Sequence, residues 1–500
     1  MIEVLKINPK DNVAVAVSAL KKGEVVAVDG FSITVIADIP VGHKIAVASI
    51  AKGEEIIKYG NPIGVAKEDI AAGSWVHTHN VATKLGKILD YTYKPTNSAK
   101  KGQADLPKPS GKTFLGYKRP NGYVGIRNEV WIIPTVGCVN GIAKLIEQES
   151  AQFKTANIDS IQAYAHPHGC SQLGGDHLRT QKYLSALVNH SNAGAVLVLG
   201  LGCENNQIDE MKKAIGSYNP DRVKFLVSQE VEDEVLAGIA LMKELCSYAS
   251  QFYREPCSAA NLTIGLKCGG SDGFSGITAN PLVGAVSNRI VAEGGTSLLT
   301  EVPEMFGAET ILMNRCRNNE VFEKVVALIN DFKKYFISYG ETIDENPSPG
   351  NKAGGITTLE DKSLGCIQKA GDAIIENVLH YGEIVQQKGL ILVQSPGNDL
   401  VSTNALVAAG AQMVLFTTGR GTPFSAPAPT IKISSNSSLA NVKNAWIDFN
   451  AGVLLDGRNI NEVADELFDY ILAVASGKVK AKSERLDKTE LVIFKDGVTL

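Results

Sequence analysis

Six times along this chain an apolar, β-branched run stops abruptly at a cluster of glycine and polar residues, and that repetition limits the fold more than any other feature. Val130–Val136 runs into Gly137-Cys138-Val139-Asn140, Ile161–Ala165 into His166-Pro167-His168-Gly169-Cys170, and Ala195–Leu199 into Gly200-Leu201-Gly202-Cys203-Glu204-Asn205. Farther on, Leu262–Leu266 leads to Lys267-Cys268-Gly269-Gly270-Ser271-Asp272, Leu390–Val393 to Ser395-Pro396-Gly397-Asn398, and Met413–Phe416 to Thr417-Thr418-Gly419-Arg420. Buried strands of this kind, alternating with longer amphipathic segments, predict βα units around mostly parallel sheets.

In such sheets ligands bind beyond the carboxyl ends of the strands, where loops converge and helix N-termini present free amides. Part of this text is ordinary turn and cap chemistry. Turns alone, however, do not call for histidine, lysine and cysteine at the same places. Arg420 is suited to a carboxylate through two parallel hydrogen bonds, and the Ser, Thr and Asn side chains to a polyol.

The chain before about residue 90 reads differently. Short strands at 24–28, 33–37, 44–48 and 55–59, separated by turns, predict a small β-rich domain over residues 1–92. Pro95, Pro107 and Pro109 among lysines and serines predict a linker over 93–112. An α/β catalytic domain is expected over 113–384, and a C-terminal α/β domain over 385–500, where the pattern restarts at Gly389–Val393. With 500 residues, several cores are expected.

Composition narrows the partners. Hydrophobic residues make up 44% and charged residues 20%, which is ordinary for a packed protein, and a formal charge of −4 without a basic, aromatic-rich cluster argues against nucleic acid. No apolar run is long enough to span a bilayer and the opening Met1–Lys6 has no signal-peptide pattern, so a cytoplasmic protein is expected. In a reducing compartment the eight cysteines are expected to be thiols. Cys246, Cys257, Cys316 and Cys366 read as small buried hydrophobes.

Two histidine pairs stand out. His77 and His79 point to one face of an extended segment, a spacing suited to a single metal ion, and His166 and His168 repeat it at a strand end. Neither is a zincin motif, the cysteines do not form Cys-x-x-Cys pairs, and no Walker or Rossmann glycine loop is present.

Taken together, Gly60-Asn61-Pro62-Ile63-Gly64, Gly73–Asn80, Phe114–Tyr117, Gly125–Asn128, His166–Cys170, Lys267–Asp272 and Gly419–Pro423 resemble the altronate/galactarate dehydratase family across nearly the whole chain. The resemblance implies an N-terminal SAF domain and a hydro-lyase that removes water from a sugar acid, with D-altronate to 2-dehydro-3-deoxy-D-gluconate as the first choice. It also implies ferrous iron, with Mn2+ as a substitute. Galactarate dehydratase or a sulfolyase is the alternative within lyase chemistry, and a non-catalytic sugar-acid-binding protein the alternative of another class. Dehydration needs a base, an acid and a Lewis acid at the carboxylate. On this reading His77, His79, Cys138 and Cys170 are the expected metal ligands, and His166, His168 and Lys267 the acid/base candidates. Asn80, Asp272, Asn398 and Arg420 are expected to orient substrate. An iron–sulfur cluster on Cys138, Cys170, Cys203 and Cys268 is the minor alternative for the metal. A small-molecule substrate is the expected partner, and homo-oligomer formation stays open.

Overall fold

The computed structural model describes residues 3–95, 106–486 and 491–500. The central part of the expected linker, 96–105, lies outside the described residues. The N-terminal part consists of short antiparallel strands. One sheet has the order Val4–Leu5, Val13–Ala16, Lys44–Ala46, Trp75–Val76, a second Glu55–Lys58, Asn61–Ala66, Val81–Ala82, and a hairpin joins Val25–Val28 to Phe31–Thr34.

Two-residue turns set these hairpins. Asp29 (φ 50°) and Gly30 (φ 84°) make one, and Tyr59 (φ 59°) and Gly60 (φ 71°) the other. Positive φ at both positions matches the strand twist. A tyrosine there is costly, and it persists because its ring is committed elsewhere: the Tyr59 hydroxyl lies 2.3 Å from where a Cβ on Gly276 would sit, so that glycine is what admits it.

Two parallel sheets follow. The first has the order Ile161–Ala163, Glu129–Pro134, Ala193–Gly200, Val223–Val227. Helices Asn140–Ser150 and Glu234–Ala249 pack together on one face. The second has seven strands, ordered Ile375–Leu379, Gly389–Val393, Thr296–Leu299, Thr263–Cys268, Met413–Thr418, Thr430–Ser434, Phe449–Asn450, all parallel. Strands such as Met413–Thr418 are buried along their whole length because helices or other units cover both faces, which explains their unbroken apolar text.

The boundary expected between 384 and 385 falls between two hydrogen-bonded neighbours of this one sheet, Ile375–Leu379 and Gly389–Val393, and so divides no structural unit. Leu390–Val393 does restart the strand pattern, but as the next strand of an existing sheet.

The parts share cores. Trp131 and Val196 from the four-stranded sheet belong to one apolar cluster with Leu298, Ile391 and Val414 from the seven-stranded sheet. Val13, Ile56 and Ile63 of the N-terminal part pack in another with Ile264 and Leu266. Each such aliphatic side chain contributes roughly 1.5–3 kcal/mol when fully buried, so these interfaces hold the parts in fixed relation. Among the described residues no helix is long and apolar enough to cross a membrane.

Candidate functional site

The strand Thr263–Cys268 ends in Lys267 and Cys268, and its neighbour Thr296–Leu299 leads directly to Glu301 and Glu304. Helix Leu359–Cys366 and the turn after it add Lys362, Cys366 and Lys369. Spacings of four and three residues put these three side chains on one helical face.

They meet in a buried cluster. The Lys267 ammonium donates to Glu301, to the Cys268 carbonyl at 2.6 Å and to Asp399 at 3.0 Å. Lys369 donates to Glu301 Oε2 and lies against Cys268 Sγ, both at 2.8 Å. Lys362 pairs with Glu304 at 2.9 Å. Three ammoniums thus face three carboxylates, which is what makes so much buried charge tolerable. Glu301 itself sits in the left-handed region (φ 72°, ψ 57°), a strained conformation for a non-glycine residue.

The electrostatics follow from the pairing. Burial alone would drive the Lys267 ammonium toward neutrality, but Glu301, Asp399 and Glu304 reverse this and hold it well above the ordinary lysine range. Burial would raise Glu304, yet Lys362, Lys267 and Lys369 bring it down to about 2. The hydrogen bond with Cys268, together with burial, keeps the Cys366 thiol protonated.

The donor atoms of Cys268, Glu304 and Cys366 lie within 4.8 Å of one another, the one group of three or more His, Cys, Asp or Glu donors that close together among the described residues. Two sulfurs and one carboxylate fit a borderline-soft divalent ion.

The N-terminal domain presses a second charged group against this region. Lys44 and Lys58 both pair with Asp361, at 2.8 and 3.0 Å, and Lys44 also donates to the Gly355 carbonyl. Burial first, then competition with Lys58 for a single carboxylate, lowers Lys44 to about 8 even though Asp361 opposes the change. His43 bonds the Ala353 carbonyl and accepts from the Trp75 indole, while His77 stacks on Trp75. Desolvation, followed by the nearby Lys44 charge, lowers His77 to about 4, and its Nδ1 has no hydrogen-bond partner.

Between the two units opens a cleft of about 400 Å³, edged by Val41 and Gly42 on one side and by Asp272, Arg420 and Asn436 on the other. Arg420 is exposed there and makes no ion pair among the described residues. A cavity of about 10 Å³, room for roughly one water molecule, lies between Asp272, Lys58, Asp361, Lys362 and Cys366 and connects the charged groups.

The expected site residues divide sharply. Lys267 and Asp272 lie at the seven-stranded sheet's carboxyl end, as expected, but Lys267 is a buried cation in ion pairs rather than a free base. Asp272 spends its carboxylate on Ser275, Ser435 and Asn436, which orders the loops lining the cleft. Asn398 uses its Oδ1 to cap helix Asp399–Ala408. Asn80 is held by the His77 amide and the Trp75 carbonyl, so it fixes the 75–80 turn.

His166 is 2% exposed, with one ring nitrogen on the Pro134 carbonyl and the other accepting from the His168 amide. It braces a loop and has no nitrogen left for proton transfer. Burial, then Lys495, lowers His168. His77 and His79 pack around Trp75 against the large domain, whereas Cys138 and Cys170 sit exposed on loops of the four-stranded sheet. The four expected metal ligands therefore belong to different neighbourhoods.

The sequence pattern does not single out Glu301, Glu304, Lys362 or Lys369, and it marks Cys366 only as a small buried hydrophobe. The strand-end rule would have reached the two glutamates had Thr296–Leu299 been recognised as a strand. Cys366 is buried as expected of a small hydrophobe, but its sulfur faces Glu304 at 3.0 Å.

Comparison with known proteins places the chain in a family. Residues 2–84 match the altronate/galactarate dehydratase SAF domain, 116–250 the D-galactarate dehydratase/altronate hydrolase second domain, and 259–499 the D-galactarate/altronate dehydratase C-terminal domain. The chain is 50% identical over 503 residues to altronate dehydratase of Escherichia coli (strain K12) and 52% identical over 504 residues to altronate dehydratase of Bacillus subtilis (strain 168), covering 100% of both chains in each case. Identity to galactarate dehydratase (L-threo-forming) of Escherichia coli (strain K12) is 35% over 502 residues, covering 96% of this chain and 94% of that one. Matched by these three domains over most of its length and by the relatives over all of it, the chain belongs to the altronate/galactarate dehydratase family.

Proposed function

We propose that the protein is a hydro-lyase that converts D-altronate to 2-dehydro-3-deoxy-D-gluconate and water. The observation that carries this reading is identity of about half over the full length of two altronate dehydratases, against 35% for the galactarate enzyme. The cleft supports the same choice. Arg420 is the single cation among the residues that edge it, accompanied by the carboxylates of Asp272 and Asp456. That charge pattern suits a substrate with one carboxylate better than galactarate with two.

Removal of the proton beside the carboxylate is followed by loss of the 3-hydroxyl, which takes up a proton and leaves as water, and the enol then becomes the ketone. Arg420 holds the substrate carboxylate in a bidentate pair. His77, neutral at pH 7 and with an unengaged ring nitrogen, accepts the proton. Proton loss turns the altronate monoanion into a dianionic intermediate, and the Arg420 guanidinium at its carboxylate offsets part of the added charge. Cys268, Glu304 and Cys366 are the residues that would hold a ferrous ion, and such an ion supplies Lewis-acid stabilisation of the carboxylate when bound.

The test is anaerobic incubation with ferrous iron and, separately, altronate, galactarate, gluconate or sulfolactate, with detection of 2-keto acid or released sulfite. Keto acid from altronate alone is expected. Turnover of another acid and not altronate would move the substrate, and binding of altronate without product would make the protein a sugar-acid binder. His77→Ala should abolish turnover with iron content unchanged; loss of iron as well would make His77 a ligand.

A further inference from the structure

Five of the eight cysteines are buried, and the three exposed ones, Cys138, Cys170 and Cys203, follow three adjacent strands of a single sheet. Strand Glu129–Pro134 lies between Ile161–Ala163 and Ala193–Gly200, all parallel, so the loops after them emerge side by side at one edge. The loops are also tied to one another at the residues flanking each thiol. The Gly137 amide donates to the His168 carbonyl at 2.9 Å, the Ser171 amide to Asn205 Oδ1 at 2.8 Å, and the Thr135 hydroxyl to Glu204 Oε1 at 2.6 Å. Each bond joins two different cysteine-bearing loops.

The backbone around these thiols is held tightly. A Cβ on Gly169 would fall 2.0 Å from the Thr135 carbonyl oxygen, and one on Gly137 would fall 2.7 Å from the His166 carbonyl oxygen, so the two loops pass too close for a side chain at either glycine. Ser171 (φ 56°) and Gly202 (φ 127°), each next to one of the cysteines, have left-handed or otherwise unusual backbone. Glu204, the one carboxylate next to a cysteine, is turned inward to Thr135 and to the amides of Leu201 and Gly202, so it does not compete as a ligand. The dehydratase reading above uses none of these thiols.

We propose that Cys138, Cys170 and Cys203 form a three-thiolate site for an iron–sulfur cluster of the four-iron type. Three iron atoms take the three sulfurs. The fourth has no protein thiolate among the described residues of these loops and stays open to water or to the oxygen of a hydroxy acid. Three exposed thiols on adjacent, mutually hydrogen-bonded loops, with the neighbouring Glu204 carboxylate turned inward, match the ligand preference of such clusters. Cys268 takes no part: its sulfur is enclosed by Lys369, Glu304 and Cys366 at the other sheet.

The experiment uses the full chain, purified anaerobically and reconstituted with ferrous iron and sulfide, with iron, acid-labile sulfide and the visible and EPR spectra as readouts. No substrate is needed, so the result is independent of the altronate reading. About four irons and four sulfides per chain, with a broad thiolate-to-iron absorption band, are expected. Cys138→Ser, Cys170→Ser and Cys203→Ser should each lose most of the band, with thermal unfolding unchanged because the side chains are exposed. Cys268→Ser and Cys246→Ser should keep it. A band that survives the triple Cys138→Ser, Cys170→Ser, Cys203→Ser variant would overturn the assignment. So would iron bound by these thiols without sulfide, or a protein that stays colourless after reconstitution.

Discussion

The two parallel sheets present cysteine at their carboxyl ends in opposite ways. In the four-stranded sheet three thiols stand at an open edge, on loops locked by backbone hydrogen bonds and close glycine contacts. In the seven-stranded sheet Cys268 sits under the neighbouring parts, and Cys366 reaches it from a helix, both enclosed by lysines and glutamates. The difference lies in what covers the strand ends. Where other parts of the chain cover them, charge must be balanced pair by pair and a thiol is tuned by its ionic neighbours. Where solvent reaches them, backbone geometry alone arranges the sulfurs.

The most disruptive way to probe that contrast is to remove a shared partner in the covered cluster. Glu301 accepts from Lys267, Lys369 and the Cys268 amide. Glu301→Ala should cost about 3–5 kcal/mol in urea unfolding, or prevent folding, because two buried ammoniums lose compensation. A loss below about 1 kcal/mol would mean that the cluster is hydrated and the two sheet ends are alike.

A smaller effect is expected at the cleft. Arg420→Ala should lower kcat/KM for altronate by roughly 10- to 100-fold while leaving the melting temperature within about a degree, since the side chain is exposed and unpaired. Equal loss in Arg420→Lys would show that the planar, two-pronged geometry matters as well as the charge.

The pH dependence of stability separates the two regions in a different way. Burial lowers His166, beside the open thiols, to about 4, from an ordinary value of 6.5. A depressed folded-state value means that this contribution is complete above pH 6.5 and is lost as pH falls toward 4. Glu304, lowered from 4.5 to about 2, keeps its contribution down to about pH 4.5 and loses it below. Urea titrations should therefore show two falling segments. His166→Gln should flatten the upper one, and Glu304→Gln the lower. If His166→Gln leaves the slope between pH 6.5 and 4 unchanged, the other buried histidines, His77 and His190, also at about 4, carry it.

The mildest test leaves stability untouched. Brief alkylation of the native, metal-free protein should modify Cys138, Cys170 and Cys203 and spare the other five thiols, as read by peptide mass spectrometry. Modification of Cys268 at a similar rate would show that the seven-stranded sheet's end opens in solution.

Much of this architecture is legible in the text. Unbroken apolar runs such as Ala195–Leu199 and Met413–Phe416 mark strands buried on both faces, and each of the six runs picked out does form a parallel strand. In the N-terminal part the strands expected at 24–28, 44–48 and 55–59 form, the one expected at 33–37 lies at Phe31–Thr34, and Val13–Ala16 and Asn61–Ala66 are strands the text does not reveal. The seventh informative strand, Thr296–Leu299, is short and half polar, so periodicity does not reveal it, and Glu301 and Glu304 were lost with it. Lys44, Lys58 and Asp361 escaped for another reason: nothing in the local text distinguishes a buried lysine from a solvated one.

The sequence by itself determined the parallel α/β class, the β-rich N-terminal domain, the family and the location of chemistry at strand ends. These follow from short-range physics, in which side-chain periodicity and turn stereochemistry act over a few residues. Only the tertiary structure decided which strand ends are covered, which sheet owns each cysteine, and that Lys267 is paired while Arg420 is open. Ion pairing and burial depend on segments far apart in the chain, such as Lys44 with Asp361, and their energies arise only once the fold has excluded water between them.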